Sequence, residues 1–309
     1  MTDRLAVDAA GLHFQNPILL AAGTAAYGRE LAGVVDLDRL GGIVTKAVSV
    51  EPRSGAPAPR VAEFAGGMMN AVGLANPGLA AVRASELPWL AEHLRHARVL
   101  VNVVGNTVEE FVAVVQGLTD VAGVDGFELN VSCPNVKHGG MEFGADRAVL
   151  AELVAAARAV TRRALFVKLS PALPDIAGTA VVAAQAGADG ITVVNTIPGM
   201  VIDVASRRPA LGFGNGGASG VGLLPVGVLA TWKVSRAVRP IPVIGVGGIA
   251  THEDIVQYLL AGASLVGVGT AALVDPRVPE RLVRGLARWC ARHGVETLAD
   301  VIGRLEWPA

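Results

Sequence analysis

Short apolar runs alternate with longer segments of helical periodicity along most of the chain. The runs are nearly continuous in Val, Ile, Leu and Ala, which is typical of parallel strands covered on their outer face. Strands are predicted at 18–22, 42–46, 99–104, 126–131, 164–169, 190–195, 241–246 and 264–268. Helices are predicted at 28–36, 79–96, 107–121, 146–160, 174–187, 222–238, 252–261 and 277–293. Eight strands, each followed by a helix, predict a (β/α)8 TIM barrel of the α/β class.

Local signals mark several of the helix starts. Thr107 with Glu110 and Thr251 with Asp254 fit capping boxes. Pro174 suits a first helical turn. A doubly wound open sheet is the structural alternative, because it shows the same alternation of strands and helices.

No composition break divides the chain, so residues 1–309 are predicted to form a single domain. Two long stretches interrupt the alternation, at 47–78 and 197–220, and both are rich in Gly, Pro and Asn. We expect them to be loop insertions at the carboxyl-terminal face of the barrel, because long loops in a compact domain are usually functional. The segment 4–16 is predicted to form a hairpin that closes the opposite end.

Composition and charge argue against several classes of function. The 26 basic and 27 acidic side chains give a net charge of −1, so no basic excess indicates nucleic-acid binding. No apolar run approaches the ~18 residues of a membrane span, and the N-terminal MTDRLAVDAAGLHF lacks the apolar core of a signal peptide. Two cysteines make no disulfide framework. The cytoplasm is therefore the expected compartment.

Polar side chains interrupt or end five successive predicted strands. They are Lys46, Asn102, Asn130, Lys168 and Asn195. Amides and amines are poor strand formers and are costly to bury unpaired. In barrels of this kind the chemistry lies at the carboxyl ends of the strands. The pattern predicts a polar ligand seated across the barrel mouth.

Two of the four lysines, Lys46 and Lys168, lie in apolar strands. Snorkelling of both side chains to the barrel rim is the structural alternative, and a fixed positive charge facing an anionic or electron-accepting ligand is the favoured interpretation. The last two strands run into the glycine-rich turns GVGGIA at 245–250 and GVGTAA at 267–272. Each turn precedes a helix, so a phosphate site is expected there, with plain tight turns as the alternative.

Cys133, in NVSCPN just past the fourth strand, is the candidate base or nucleophile. Nearby cations on the catalytic face would lower the pKa of such a thiol. A lone cysteine is more often an inert core residue, which is the interpretation for Cys290 in ARWCARHG. His138 is a rival base with no assignable partner. The six histidines show no zinc-ligand spacing, so no metal site is predicted.

A set of motifs follows in order along essentially the whole chain. It comprises VTKAV (44–48), MMNAVGLANPG (68–78), NVSCPNVKHGG (130–140), VKLSP (167–171), VVNT (193–196), GGASG (216–220), GVGG (245–248) and GVGT (267–270). Together these segments resemble class 1 dihydroorotate dehydrogenases, and SCPN with NAVGLANPG is the specific part. A cysteine rather than a serine at the base position points to class 1. The segment PRVAEFAGGMMNAVGLANPG (59–78) is more similar to the NAD-linked class 1B than to the fumarate-linked class 1A.

The resemblance implies one FMN per chain, bound at the barrel mouth. The positions implied to hold FMN are Ala22, Gly23, Lys46, Ala47, Asn102, Asn130, Lys168, Val194, Gly220, Gly247, Gly248, Gly269 and Thr270. The positions implied to bind the substrate are Lys46, Asn70, Ala71, Val72, Gly73, Leu74, Asn130, Asn195 and Thr196, and Asn135 is a further candidate.

The implied reaction is oxidation of (S)-dihydroorotate to orotate in the biosynthesis of pyrimidines (UMP). Cys133 would act as general base and remove the C5 proton, and the hydride from C6 would pass to FMN. Lys168 and Lys46 would stabilise the electron-rich reduced ring and the anionic substrate. Electrons would reach NAD through a partner subunit that carries FAD and a 2Fe–2S cluster. The expected assembly is a heterotetramer of two catalytic and two partner chains, with a homodimer core.

Three alternatives remain open. A stand-alone class 1 enzyme would pass electrons to fumarate or another soluble acceptor. A barrel aldolase would use Lys168 as a Schiff-base lysine, and a non-catalytic barrel would only bind a phosphate ligand. The chain also departs from the family at Ala22, where the family often has a serine, and this removes a side-chain hydrogen bond to FMN.

Overall fold

The computed structural model describes residues 3–132, 134–135 and 141–308. In chain order the strands are β1 (Val7–Ala9), β2 (Leu12–Phe14), β3 (Ile18–Leu20), β4 (Gly42–Val44), β5 (Val61–Phe64), β6 (Gly67–Asn70), β7 (Arg98–Val103), β8 (Gly126–Asn130), β9 (Pro134–Asn135), β10 (Met141–Glu142), β11 (Ala164–Leu169), β12 (Gly190–Val193), β13 (Ile197–Gly199), β14 (Ile202–Asp203), β15 (Arg208–Pro209), β16 (Gly216–Ser219), β17 (Val243–Val246) and β18 (Leu265–Val268). The helices are α1 (Leu79–Ala81), α2 (Leu87–His93), α3 (Val108–Leu118), α4 (Arg147–Ala159), α5 (Ile176–Gln185), α6 (Leu224–Val238), α7 (His252–Ala261), α8 (Thr270–Val274) and α9 (Val278–Arg292). A π-helical turn over Val82–Glu86 joins α1 to α2.

Eight parallel strands close into a barrel in the order β3, β4, β7, β8, β11, β12, β17, β18. This confirms the predicted (β/α)8 architecture. The register pairs Asn102 on β7 with Glu128 on β8, and Lys168 on β11 with Thr192 on β12. Side chains alternate between the two faces of a strand, so residues in register share a face. The barrel interior therefore carries a polar layer near the carboxyl ends of its strands.

Two local predictions about helices are wrong. The segment 28–36 forms hydrogen-bonded turns, such as that from Leu31 N to Gly28 O at 3.0 Å, instead of a helix. Gly28 has a φ of 91°, which an α-helix does not accommodate. Pro174 does not occupy the first turn of α5. That helix begins two residues later than expected, at Ile176, and the side chain of Asp175 caps it.

The helix caps bear out the sequence signals in part. Thr251 and Asp254 form a complete capping box at the start of α7. At α3 the Thr107 hydroxyl accepts the N–H of Glu110, as predicted. The Glu110 carboxylate, however, accepts the N–H of Asn106 at 2.7 Å and not that of the cap residue. Both helices still start where a threonine satisfies a backbone donor.

The two insertions are more than loops, because they share a four-stranded antiparallel sheet. Its order is β13, β16, β6, β5, so the central pair joins the first insertion to the second. Gly217 on β16 pairs with Asn70 on β6. The sequence did not predict these strands, since the glycine-rich β16 has no alternation of apolar and polar residues. The sheet ties together segments more than a hundred residues apart.

The predicted N-terminal hairpin is confirmed as β1 and β2, with Val7 paired to Phe14. The Asn16 side chain accepts the N–H groups of Ile18 and Gly41, at 3.2 and 3.0 Å. Ile18 begins the first barrel strand, and Gly41 directly precedes the second. The hairpin therefore lies at the amino-terminal end of the barrel, opposite the predicted site.

Among the described residues, one apolar helix is long enough to cross a membrane by length and composition alone. It spans Val221–Val238 with a mean hydropathy of 1.3. Its second part is α6, which buries Ala230 and Val234 and packs against β17. Apolar core helices of globular proteins pass the same test. Within the described residues α6 is thus a helix of the outer layer of the barrel.

Candidate active site

A cavity of about 1200 Å³ opens at the carboxyl-terminal ends of the barrel strands. Ligand pockets usually hold ~300–1,000 Å³, so this cavity has room for two ring systems. The structure brings together there Ala22, Gly23, Lys46, Ala47, Asn70, Ala71, Val72, Gly73, Leu74, Asn102, Asn130, Lys168, Val194, Asn195, Thr196, Gly220, Gly247, Gly248, Gly269 and Thr270. All predicted cofactor positions and, apart from the further candidate Asn135, all predicted substrate positions are in that set.

A buried carboxylate lies behind the cavity wall at Glu128, whose side chain is 1% exposed. Its Oε1 accepts the Nδ2–H of Asn102 at 2.8 Å, and its Oε2 accepts the hydroxyl of Thr192 at 2.8 Å. The Lys168 Nζ lies 4.0 Å from Oε1. A buried charge is costly unless it is paired and hydrogen-bonded, and this carboxylate is both.

The two lysines predicted to face a ligand both line the cavity. Among the described residues no hydrogen-bond acceptor is assigned to the Nζ of Lys46 or of Lys168. The backbone at Lys46 is fixed, since its N–H donates to Ala26 O at 2.7 Å. The Tyr27 hydroxyl donates to Ala47 O at 3.1 Å, and burial raises the pKa of that phenol. Both ammonium groups thus have donors to offer to a ligand.

Three asparagines stand on the side of the cavity nearer the insertion sheet. The Asn195 side chain donates to Asn130 Oδ1 at 3.2 Å. The Asn70 side chain donates to Gly217 O at 3.3 Å, within the sheet. The loop that follows Asn70 is held by a hydrogen bond from Ala56 N to Val72 O at 3.0 Å. Amides of this kind match the alternating donors and acceptors of a pyrimidine ring.

Glycine turns after β17 and β18 close the far side of the cavity. Gly247 and Gly248 have φ values of 129° and 73°, in the region that favours glycine. A Cβ on Gly248 would lie 2.4 Å from Leu224 N. The Tyr258 hydroxyl donates to Gly247 O at 2.7 Å. Close packing against Leu224 thus requires glycine at 248. Gly247 and Gly248 also line the cavity, where backbone N–H groups of such a turn can bind a phosphate.

A hydroxyl bridge joins the barrel to the insertion sheet beside these turns. The Thr270 hydroxyl shares a hydrogen bond of 2.8 Å with the Ser219 hydroxyl. Ser219 in turn donates to Met68 O at 3.3 Å. Gly220 approaches Gly67 so closely that a Cβ on Gly220 would lie 2.5 Å from the Gly67 Cα. The sheet is thus pinned to the barrel rim.

The sequence analysis missed several polar residues in or beside the cavity, among them Glu128, Ser170, Ser219, Glu142 and Thr24. The sequence does carry a signal for Glu128, because a carboxylate in the apolar run GFELN (126–130) is as unusual as the amide of Asn130 in the same run. Burial raises the pKa of Glu142, and a hydrogen bond from Ser170 opposes that rise. The partners of these side chains come from distant segments, which no local pattern reveals.

The predicted base, Cys133, follows the last described residue of the segment after β8. Cys133 and His138 lie outside the described residues, and only the backbone of Asn135 is described, in β9. The neighbouring Ser132 lines the cavity, and its Oγ is buried with no hydrogen-bond partner in the described structure. By contrast Cys290 is fully buried on α9, and burial raises the pKa of its thiol.

Comparison with known proteins decides the family. Residues 4–289 match the family model described as dihydroorotate dehydrogenase. The chain belongs to the dihydroorotate dehydrogenase family. In the described residues of this family member, no group of three or more His, Cys, Asp or Glu side chains could hold a metal ion.

Three curated relatives of this dihydroorotate dehydrogenase family member match over nearly their full length. "Dihydroorotate dehydrogenase B (NAD(+)), catalytic subunit" of Pelobacter propionicus is 44% identical over 99% of this chain and 100% of its own. The protein of the same name in Geobacillus kaustophilus is 46% identical over 98% of this chain and 96% of its own. "Putative dihydroorotate dehydrogenase A (fumarate)" of Solibacter usitatus is 48% identical over 99% of this chain and 100% of its own.

Dihydroorotate dehydrogenases are flavoproteins, and the cavity fits a flavin. A Cβ on Gly23 would meet no atom within 4 Å, and one on Gly269 none nearer than 3.9 Å. Side chains at these two positions would occupy cavity space, so glycine keeps that space open for a ligand. Bare turns at one end and the ammonium of Lys168 at the other suit a phosphate and an electron-accepting ring.

Proposed function

We propose that this chain oxidises dihydroorotate to orotate in pyrimidine biosynthesis, with FMN held at the barrel mouth. The observation that carries the proposal is one cavity, in a member of the dihydroorotate dehydrogenase family, where the ammonium groups of Lys46 and Lys168 meet three asparagines and two glycine turns. When bound, FMN supplies the hydride acceptor. The cytoplasm and a single 1–309 domain remain predictions of the sequence.

The cofactor is held along the barrel rim in this proposal. The glycine turns at Gly247 and Gly269, with Thr270, take its phosphate end through backbone N–H groups. Asn102 and Lys168 face its ring, the former with an amide and the latter with a fixed positive charge. The positions that support its remaining atoms are Ala22, Gly23, Lys46, Ala47, Asn130, Val194, Gly220 and Gly248.

The substrate lies between the ring and the insertion sheet. Asn70, Asn130 and Asn195 pair with its ring amides, and Lys46 pairs with its carboxylate. Thr196 and the loop from Ala71 to Leu74 close around it. The sheet shields the reacting centre from water in this proposal, and the hydrogen bond between Ser219 and Thr270 holds it against the barrel.

Cys133 is the proposed general base, which removes the proton from C5 of dihydroorotate. Its support is the family motif NVSCPN and its position just after β8, beside the cavity-lining Ser132. A positioned base contributes ~10²–10⁴-fold to such a step. The Lys46 and Lys168 ammonium groups favour the thiolate of any cysteine near them.

The proposed electron acceptor is NAD, reached through a partner subunit that carries FAD and a 2Fe–2S cluster. Support comes from the relatives named catalytic subunits of an NAD(+) enzyme. The fumarate-type name of the Solibacter usitatus relative keeps a stand-alone enzyme as the second candidate. The purified chain would be assayed for orotate with a dye acceptor, with NAD and with fumarate. Without the partner subunit, we expect orotate formation with the dye but not with NAD or fumarate. Rapid turnover with fumarate would favour the stand-alone enzyme.

Two catalytic chains are proposed to pair in a heterotetramer with two partner subunits. Support comes from one stretch of chain, 200–229, that exposes many large apolar side chains. They are Met200, Ile202, Val204, Phe213, Val221, Val226 and Leu229. Exposed apolar side chains that form a contiguous patch mark interaction surfaces.

Light scattering after size exclusion tests the pairing. The wild-type chain is expected to be a dimer at micromolar concentration, and Phe213→Ser is expected to shift it toward monomer. Val274→Ser is the matched control, because Val274 is exposed but lies on α8 outside the stretch. A monomeric wild-type chain would contradict the homodimer core.

A further inference from the structure

We infer that Glu128 is a positioning residue for the cofactor, which fixes Asn102 and offsets the charge of Lys168 from behind the cavity wall. The inference rests on the proposed binding of FMN at the barrel mouth. Neither Glu128 nor its third neighbour, Thr192, is among the residues that line the cavity. Glu128 and Thr192 can therefore influence a ligand only through Asn102 and Lys168, which line the cavity.

The geometry is that of a clamp shared by four successive barrel strands. Glu128 on β8 receives hydrogen bonds of 2.8 Å from Asn102 on β7 and from Thr192 on β12, one to each carboxylate oxygen. Lys168 on the intervening β11 places its Nζ 4.0 Å from the same oxygen that Asn102 uses. All four residues are at least nine-tenths buried. The clamp leaves the amide and the ammonium little freedom to move.

Packing alone does not account for a carboxylate at this depth. Barrel interiors are usually filled by branched apolar side chains, and an apolar residue at 128 would avoid the cost of burying a charge. At 4.0 Å the ammonium of Lys168 is near enough to the carboxylate for a favourable electrostatic interaction. The same distance is too long for a hydrogen bond between the two groups. Lys168 thus keeps its donors for the cavity while its charge is partly offset.

The offset has a measurable consequence for a bound electron acceptor. Added electrons are stabilised by the positive charge of Lys168 and destabilised by the negative charge of Glu128. Loss of the carboxylate charge alone should therefore favour the reduced cofactor. Glu128→Gln makes that change, because an amide keeps an acceptor for Asn102 and a polar partner for Thr192.

The decisive experiment is the midpoint potential of FMN bound to the purified chain, measured without substrate. In Glu128→Gln the preference for reduced over oxidised FMN should rise at least tenfold, a positive shift of about 30 mV for a two-electron couple. Lys168→Gln should shift the potential in the negative direction. The double variant should return close to wild type. Glu152→Gln, which removes an exposed carboxylate from α4, is the control and should change nothing.

A folded Glu128→Gln variant with the wild-type potential would overturn the inference and leave Glu128 as a structural acceptor only. If that variant fails to fold, Thr192→Val and Thr192→Ser take its place. The valine removes one hydrogen bond to the carboxylate, whereas the serine keeps it. FMN affinity is expected to fall at least fivefold in the valine variant and to hold in the serine variant. Equal affinities in the two would overturn the positioning role.

The outcomes also separate this inference from the proposed function. If the wild-type chain binds FMN and forms orotate, but Glu128→Gln leaves the midpoint potential of FMN unchanged, only the inference about Glu128 is wrong. A wild-type chain that binds FMN but forms no orotate defeats the substrate assignment, and the potentials still test the role of Glu128. A chain that holds no FMN overturns both.

Discussion

The side-chain amide of Asn195 donates a hydrogen bond to Asn130 Oδ1 over 3.2 Å, and so joins the segment after β12 to the end of β8. Each amide keeps the other turned into the cavity. Asn195→Ala should raise the KM for dihydroorotate at least tenfold, because one ring contact is lost and Asn130 is left without its donor. FMN content should stay at the wild-type level. Steady-state kinetics with a dye acceptor provide the measurement.

The control for this change is Gln116→Ala, which removes an exposed amide from α3. An unchanged KM in Asn195→Ala would show that the pair does not bind substrate. A parallel loss of FMN would place Asn195 at the cofactor instead.

Cys133→Ser should lower kcat at pH 7 by about 10²–10⁴-fold, the usual contribution of a positioned base. A hydroxyl has almost the same size as a thiol but is far harder to ionise, so at pH 7 the serine side chain is almost never in the anionic form that accepts a proton. The visible spectrum of bound FMN should be kept, and turnover should partly recover at high pH.

Cys290→Ser is the matched control, since Cys290 is fully buried on α9, far along the chain from the site motifs. It should lower the melting temperature, because a hydroxyl replaces a buried thiol, and it should leave kcat unchanged. Equal activity of Cys133→Ser and the wild type would remove Cys133 from the mechanism.

Tyr258 supports the glycine turn after β17. Its hydroxyl donates to Gly247 O at 2.7 Å, and its ring packs so tightly that a Cβ on Gly245 would lie 2.3 Å from it. Burial raises the pKa of Tyr258, so the hydroxyl stays a donor across the working pH range. Tyr258→Phe should cost about 1 kcal/mol of unfolding free energy and should weaken FMN binding several-fold.

Denaturant titration of apo-protein and fluorescence titration with FMN check these two effects. Gly227→Ala offers a second route to the same ring, because its Cβ would collide with the Tyr258 hydroxyl. It should destabilise the fold by roughly 1–3 kcal/mol, as overpacked cores do. Wild-type FMN affinity in both variants would show that Tyr258 does not support binding of the FMN phosphate.

Glu142 gives the site a predictable dependence on pH. Burial raises the pKa of its carboxyl in the folded chain, so the folded state binds the proton more tightly than the unfolded state does. That stabilising contribution is present at low pH and is lost as the pH rises through the folded pKa. Above it, the ionised carboxylate opposes folding.

Glu142→Gln should therefore melt roughly 1 °C above the wild type at pH 8 and no higher than the wild type at pH 4. Glu152→Gln on the exposed face of α4 should show no such difference between the two pH values. A lower melting temperature for Glu142→Gln at pH 8 would contradict the assigned cause of the pKa shift.

The barrel could be predicted because its signals are local. A buried parallel strand such as 164–169 is a short apolar run, and a capped helix such as 252–261 carries its start signal in Thr251; both were predicted with the bounds that the structure has. The helix predicted at 28–36 is wrong, because the spacing of apolar residues gives no information on the positive φ of Gly28.

The insertion sheet could not be predicted, since its stability comes from pairing between distant segments. Gly217 and Asn70 are in register on neighbouring strands, yet neither segment shows the alternation of an independent strand. The cavity residues were predictable where a polar side chain ended an apolar strand, as at Lys168. Glu128 was missed, because its importance lies in partners on three other strands.

The most direct test of the account is the visible spectrum of the purified chain under anaerobic conditions, before and after addition of dihydroorotate. We expect a yellow protein whose flavin absorbance bleaches on addition of dihydroorotate, with orotate formed in equal amount. A yellow protein that does not bleach would contradict the substrate assignment. A chain that stays colourless after FMN is supplied would contradict the cofactor site and, with it, the central claim.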